Sequence, residues 1–220
     1  MTDGPTTPTP PPGGMPGAPV SIVDRVKNIL ITPRTEWAVI AAERSSIQQI
    51  YTTYVLILAA IPPIAGIIGA MLFVPRIGGV SYGAPIGYLI AMAVFGYVVS
   101  LVIVFLMALI IEALAPSFGG TKDRLQAFKI SAYASTPVWV IGILSLFPPL
   151  ALLVWLAYIY VAFLIYQGLG PVLRVPEDKS IVFTIVIVVC YVGLIILISA
   201  IVGALMLSMF MASVSPVMIR

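Results

Sequence analysis

The sequence predicts an all-α, polytopic membrane protein: a bundle of five transmembrane helices behind short N-terminal amphipathic helices. Composition, run length and charge placement carry that reading. Apolar residues make up 61% of the 220-residue chain and charged residues 9%, whereas soluble domains hold about 25% charged residues. Mean hydropathy is +1.15. Several apolar runs reach the ~18 residues that mark a membrane-crossing helix, and the charges fall almost wholly between them. The length suits one bundle and a tail rather than two domains.

The same composition excludes several kinds of chemistry. The chain has no His and a single Cys, so a His-based triad, a His/Cys zinc site and a disulfide framework are ruled out. Cys190 lies in an apolar run and reads as a small buried hydrophobe. Met206, Met209, Met211 and Met218 read as flexible apolar filler, not soft-metal ligands. There is no Gly-Lys phosphate loop, no GxSxG elbow and no HExxH. Gly119-Gly120-Thr121-Lys122 resembles the tail of a phosphate loop but lacks the strand and first glycine that loop needs. The expectation is a protein that is not an enzyme, holds no cofactor or metal, and binds no nucleic acid.

Residues 1–19 are rich in Pro, Gly and Thr and predict a disordered, partly polyproline tail. They do not read as a signal peptide, because the first long apolar run starts only near Tyr51. Residues 20–49 predict two interfacial helices. In the first, Ile22, Val23, Val26, Ile29 and Leu30 form an apolar face, with Asp24, Arg25, Lys27 and Asn28 opposite, as in a helix lying on a membrane. Ile22, Val26, Ile29 and Trp37 are the candidate membrane-interface residues. Thr32 caps the second helix and Pro33 takes its first position, where a missing N–H costs nothing. That helix is expected to run from 33 to 49.

Residues 50–213 predict the membrane bundle, with spans near 51–74, 86–111, 129–146, 150–167 and 181–212. Pro62-Pro63 breaks the first span by removing two backbone donors. Gly66 and Ala70, four apart, allow a close helix contact there. Pro148-Pro149 makes a short turn between spans three and four. Trp155, Tyr158, Tyr160, Phe163 and Tyr166 supply packing and interface anchors in span four, and Gly168, Gly170 and Pro171 are expected to end it. In span five, Ser199/Gly203 and Ala200/Ala204 suit close packing.

Residues 112–139 hold the candidate functional side chains. Glu112 ends span two, where the helix dipole disfavours a carboxylate and calls for a cation or a proton. Lys122, Arg124 and Lys129 are the nearby partners. Thr121 and Asp123 start the next helix. Pro137 frees the carbonyl of Tyr133 inside span three, and Ser131, Ser135 and Thr136 stand beside it, forming a polar notch. The candidate set is therefore Glu112, Lys122, Arg124, Tyr133, Ser135, Thr136 and Pro137.

Five spans put the termini on opposite sides. Nine of the eleven basic residues then share one side, leaving Arg76 and Arg220 on the other. The positive-inside rule makes the basic side cytoplasmic, with the N-terminus there and the C-terminus opposite.

On these features the chain resembles the Yip1 domain family, in its bacterial and archaeal branch. The matching residues are Pro33 and Trp37 in an amphipathic preamble, Gly119-Gly120 before Phe128 to Ser131, the Tyr133-x-x-x-Pro137 step, and Gly168 closing span four. The resemblance covers about residues 20–212. It implies a five-helix membrane bundle with a cytoplasmic N-terminus. Eukaryotic members are associated with Rab GTPases, vesicle traffic and membrane shaping. Their Asp-Leu-x-Gly-Pro segment is absent from this chain, so Rab binding does not carry over. The expected function is a membrane-organising scaffold in the cell membrane, partnered by the bilayer and by a second copy or another membrane protein. The alternative is a small channel or transporter using Glu112 and the Tyr133–Pro137 notch.

Overall fold

The computed structural model of the protein describes residues 21–74, 76–77, 80–81 and 83–214. The Pro-rich segment 1–19 lies outside the described residues. Ser21 starts α1 (Ile22–Ile31), its hydroxyl accepting from the Asp24 N–H at 3.1 Å. Pro33 starts α2 (Pro33–Ala42). Thr32 does not cap α2 with its side chain; its hydroxyl donates back to the Asn28 carbonyl of α1 at 3.2 Å. α2 stops at Ala42, not at 49. Residues 43–46 are non-helical, and Ser46 caps the next helix through the Gln49 N–H at 3.1 Å.

Among the described residues, five helical segments are long and apolar enough to cross a membrane. Span one, Ile47–Leu72, is assembled from α3 (Ile47–Ile50), a π-helical turn at Tyr51–Val55, α4 (Leu56–Ala59) and α5 (Ile61–Leu72). Pro62-Pro63 falls in the first turn of α5, so the break expected from the sequence is present and the missing N–H groups cost little. A two-residue antiparallel pairing, Arg76–Ile77 with Val80–Ser81, closes the following loop. Span two is α6 (Ile86–Leu114) with a 3-10 turn to Phe118. Span three is α7 (Arg124–Ala134), α8 (Thr136–Ile141) and a 3-10 turn to Leu146. Asp123 caps α7 through the Gln126 N–H at 3.0 Å, and Thr121 instead binds the Leu173 carbonyl.

Span four, α9 (Val154–Leu173), passes through Gly168, Gly170 and Pro171 rather than ending there. It stops at Arg174, which takes the left-handed conformation (φ 58°) while the N–H groups of Arg174 and Val175 close on Gly170 and Leu169. Span five is α10 (Glu177–Val214).

Span three is the centre of the bundle. In its most apolar stretch 67% of residues are buried, against 28, 22, 39 and 17% for spans one, two, four and five. This explains why the most polar span is the middle one: its side chains meet protein, where hydroxyls find partners, rather than lipid. Glycines set the close approaches. A Cβ on Gly142 would strike the Pro62 ring, and one on Gly69 would strike the Ser145 carbonyl. Gly66, in contrast, faces open space, so the tight contact of span one lies one turn further on at Gly69.

Trp37 is fully buried rather than anchored at a lipid interface. Its indole lies on Gly168, where an added Cβ would come within 3.0–3.1 Å of the ring. Gly168→Ala should therefore destabilise the protein by about 1–3 kcal/mol through overpacking. Gly170→Ala should be neutral or stabilising, because its Cβ meets nothing closer than 3.8 Å and Ala is the better helix former. Thermal unfolding of the two variants in detergent checks the contrast, and equal effects would remove the Trp37–Gly168 contact from the explanation.

Candidate functional site

Four apolar residues of α1 point inward. Ile29 is fully buried, and Ile22, Val26 and Leu30 pack against the core. Ile22, Val26 and Ile29 are thus core-facing, not membrane-interface, residues. Arg25 goes with them. It is three residues from Ile22 and four from Ile29, which puts it on the same helical edge, and it is 4% exposed.

Two carboxylates meet this buried cation. Arg25 Nη1 donates to Glu36 Oε1 at 2.6 Å, and Nη2 pairs with Glu43. Glu36 lies in the first turn of α2 and Glu43 just past its end; they are seven apart, two helical turns, so one edge offers both. Below the guanidinium lies the Tyr133 ring, with its centroid 5.5 Å away. Lys129 then locks the end of α2. Its Nζ donates to the carbonyls of Ile40 and Glu43, both at 2.8 Å, and Gln126 Nε2 reaches the Ala41 carbonyl at 3.3 Å. These are carbonyls that a helix C-terminus leaves without partners, and a cation there also suits the helix dipole. Lys129, read from the sequence as a partner for Glu112, is committed elsewhere.

The notch at Tyr133–Pro137 exists and is filled. The Thr136 hydroxyl donates to the Tyr133 carbonyl at 2.6 Å, the group that Pro137 leaves free. With its only hydrogen used, Thr136 accepts from the Tyr54 hydroxyl at 2.7 Å. Ser135 donates to the Ser131 carbonyl and Ser131 to the Val104 carbonyl of span two, both at 2.7 Å. The Tyr54 ring stands edge-on to Tyr133 and Trp139, with centroids 4.8 and 6.5 Å away.

Glu112 finds the cation its position calls for. Arg124 Nε donates to Glu112 Oε2 at 2.9 Å, with Arg124 largely exposed and Glu112 mostly covered. Lys122 is exposed and makes no ion pair among the described residues. Arg124 lies nine residues before Tyr133, about 13 Å along the helix at 1.5 Å per residue. The structure thus joins Arg124 to Glu112, and Tyr133, Ser135, Thr136 and Pro137 to one another. It does not bring the two groups together.

Two cavities border the network. One of about 160 Å³ is walled by Arg25, Glu43, Ser45, Gln49, Thr53 and Tyr133. It has room for several waters, each needing at least ~10–15 Å³ of such space, and the buried Ser45 hydroxyl has no protein partner. The other, about 730 Å³, lies between the spans and has mainly apolar walls, including Pro62, Met107, Trp139 and Val188. The Ser100, Ser131 and Ser135 hydroxyls on its wall are turned onto backbone carbonyls.

The residues that sequence reasoning missed are Arg25, Glu36, Glu43 and Tyr54. Arg25→Met would leave Glu36 buried without its cation, an error that costs about 3–5 kcal/mol. Adding Glu36→Leu should recover most of the loss, because Glu43 still reaches water. Unfolding of the single and double variants in detergent checks this, and a double variant no more stable than Arg25→Met would contradict it.

The comparisons with known proteins agree with this architecture. The model of the Yip1 domain matches residues 27–201. The chain is similar to inner membrane protein YohC of Escherichia coli strain K12, with 29% identity over 164 residues, 69% of this chain and 80% of that protein. The protein of the same name from Escherichia coli O6:H1 gives the same figures. No solved structure matches. The protein is a membrane-embedded helical protein, and it belongs to the Yip1 domain family.

Proposed function

We propose that this protein is a non-enzymatic, membrane-organising scaffold. The observation that carries the reading is the internal use of the polar groups that a conduit would need. Thr136, Ser135, Ser131 and Tyr54 bind one another or backbone carbonyls, and Glu112 pairs with Arg124 well away from them. The larger cavity, at membrane depth, is mostly apolar. What the bundle leaves free is the outer surface of spans two and five, its two least enclosed spans. There Gly87 and Gly193 meet nothing within 4 Å, leaving room for another helix to approach closely. A second copy or another membrane protein is the partner this surface suits.

The orientation is part of the same proposal. Thr121 binds Leu173, Gln126 binds Ala41 and Lys129 binds Ile40, so α1, α2 and the loops after spans two and four share one end. Nine of the eleven basic residues lie at that end, in those segments or in the stretches next to them: Arg25, Lys27, Arg34, Arg44, Lys122, Arg124, Lys129, Arg174 and Lys179. We place that end, with the N-terminus, in the cytoplasm.

Reconstituted vesicles test the reading. Wild type and Glu112→Gln should give the same background proton and cation flux. Native mass spectrometry should show an oligomer that Gly193→Leu weakens. Flux that depends on Glu112 would instead establish a channel or transporter.

A further inference from the structure

The outward edge of α1 carries a row that the bundle does not use. Val23, Lys27 and Ile31 stand four residues apart and so line one edge of the helix. Val23 is 71% exposed and Ile31 68%, as open as Ile159 on span four (71%) and Ile196 on span five (63%). The position of α1 gives this row its meaning. The Tyr160 hydroxyl donates to the Leu30 carbonyl at 2.7 Å. Tyr160 follows the outward-facing Ile159, so the Ile31 end of α1 lies beside a bilayer-facing turn of span four. At the other end, Ile22 shares a cavity wall with Thr53 and Tyr54 of span one. α1 therefore runs from span one to span four across the break in span three.

This level is a boundary. No charged residue occurs between Arg44 and Arg76, or between Lys129 and Arg174. Charge at this end of the molecule stops with Arg25 on α1, the level at which lipid headgroups lie, and past that level these spans carry none before Arg76. Exposed charge around α1 and α2 is mainly positive: Lys27, Arg34 and Arg44 against Asp24. A lysine between two exposed aliphatic residues suits such a boundary, because its stem lies along the acyl surface while the ammonium reaches phosphate.

We propose that the Val23–Lys27–Ile31 row seats α1 in the adjoining leaflet, with Val23 and Ile31 at the acyl boundary and Lys27 on the phosphate of an anionic phospholipid. This surface replaces Ile22, Val26 and Ile29 as the lipid contact of α1, and it holds whether or not the protein is a scaffold. The test uses full-length protein carrying Cys190→Ala and a single nitroxide at 23, 31 or 122. The protein is placed in phosphatidylcholine vesicles with or without phosphatidylglycerol. Labels at 23 and 31 should be relaxed more by oxygen than by a water-soluble nickel chelate, and the label at 122 the reverse. Native mass spectrometry at low salt should show phosphatidylglycerol retained over phosphatidylcholine, with that preference falling about fivefold in Lys27→Glu. Nickel access at 23 and 31 equal to that at 122 overturns the seat. A lipid preference unchanged by Lys27→Glu overturns the headgroup contact. Shielding of both labels from both reagents that grows with protein density means that another copy covers the row, and also overturns it.

Discussion

Arg25 sets the terms for the N-terminal third of the described chain. A guanidinium taken out of water is costly unless charge and hydrogen bonds replace the water it loses. Here the replacement comes from Glu36 in the first turn of α2 and from Glu43 just past its end. That fixes the turn at Thr32-Pro33, because α2 must fold back far enough to present both carboxylates to α1. It also fixes where α2 stops, since Lys129 holds the last carbonyls of that helix. Two short helices that would be marginal alone become a cap on the bundle, with Trp37 pressed into the space left by Gly168.

Span three receives that cap and transmits it. Lys129 meets α2, Tyr133 lies under Arg25, Ser131 binds span two, and Thr136 binds Tyr54 of span one. Pro137 makes this connectivity possible. By freeing one carbonyl it gives Thr136 an acceptor, and Thr136 in turn becomes the acceptor for Tyr54. The kink that looks from the sequence like an opening serves as a joint.

Local features were legible in the sequence. The five spans, the break at Pro62-Pro63, a helix start near Thr121–Asp123 and the polar notch all follow from runs, prolines and short-range hydrogen bonds, although the cap is Asp123 and not Thr121. The spacing of Arg25 to Ile22 and Ile29 also showed its inward edge, but residue type outweighed spacing and assigned it to the solvated face. Lys129 was not legible, because its partners lie 86 and 89 residues earlier and exist only once α2 has docked. The stop signals in span four misled for a similar reason. Gly168 is there to admit an indole from α2, and the helix runs on until Arg174 turns it. Exposure reads differently again: Val23 belongs to the apolar count of α1, yet only packing separates it from Ile22.

The central claim is that α1 and α2 are an integral part of the bundle, held through a buried ion cluster, and not helices loosely resting on lipid. Amide hydrogen exchange on the reconstituted protein tests it most directly. Residues 22–42 should be protected as strongly as 124–134, because the two stretches share Arg25, Lys129 and their partners. Fast exchange across 22–42 beside slow exchange across 124–134 would contradict the claim.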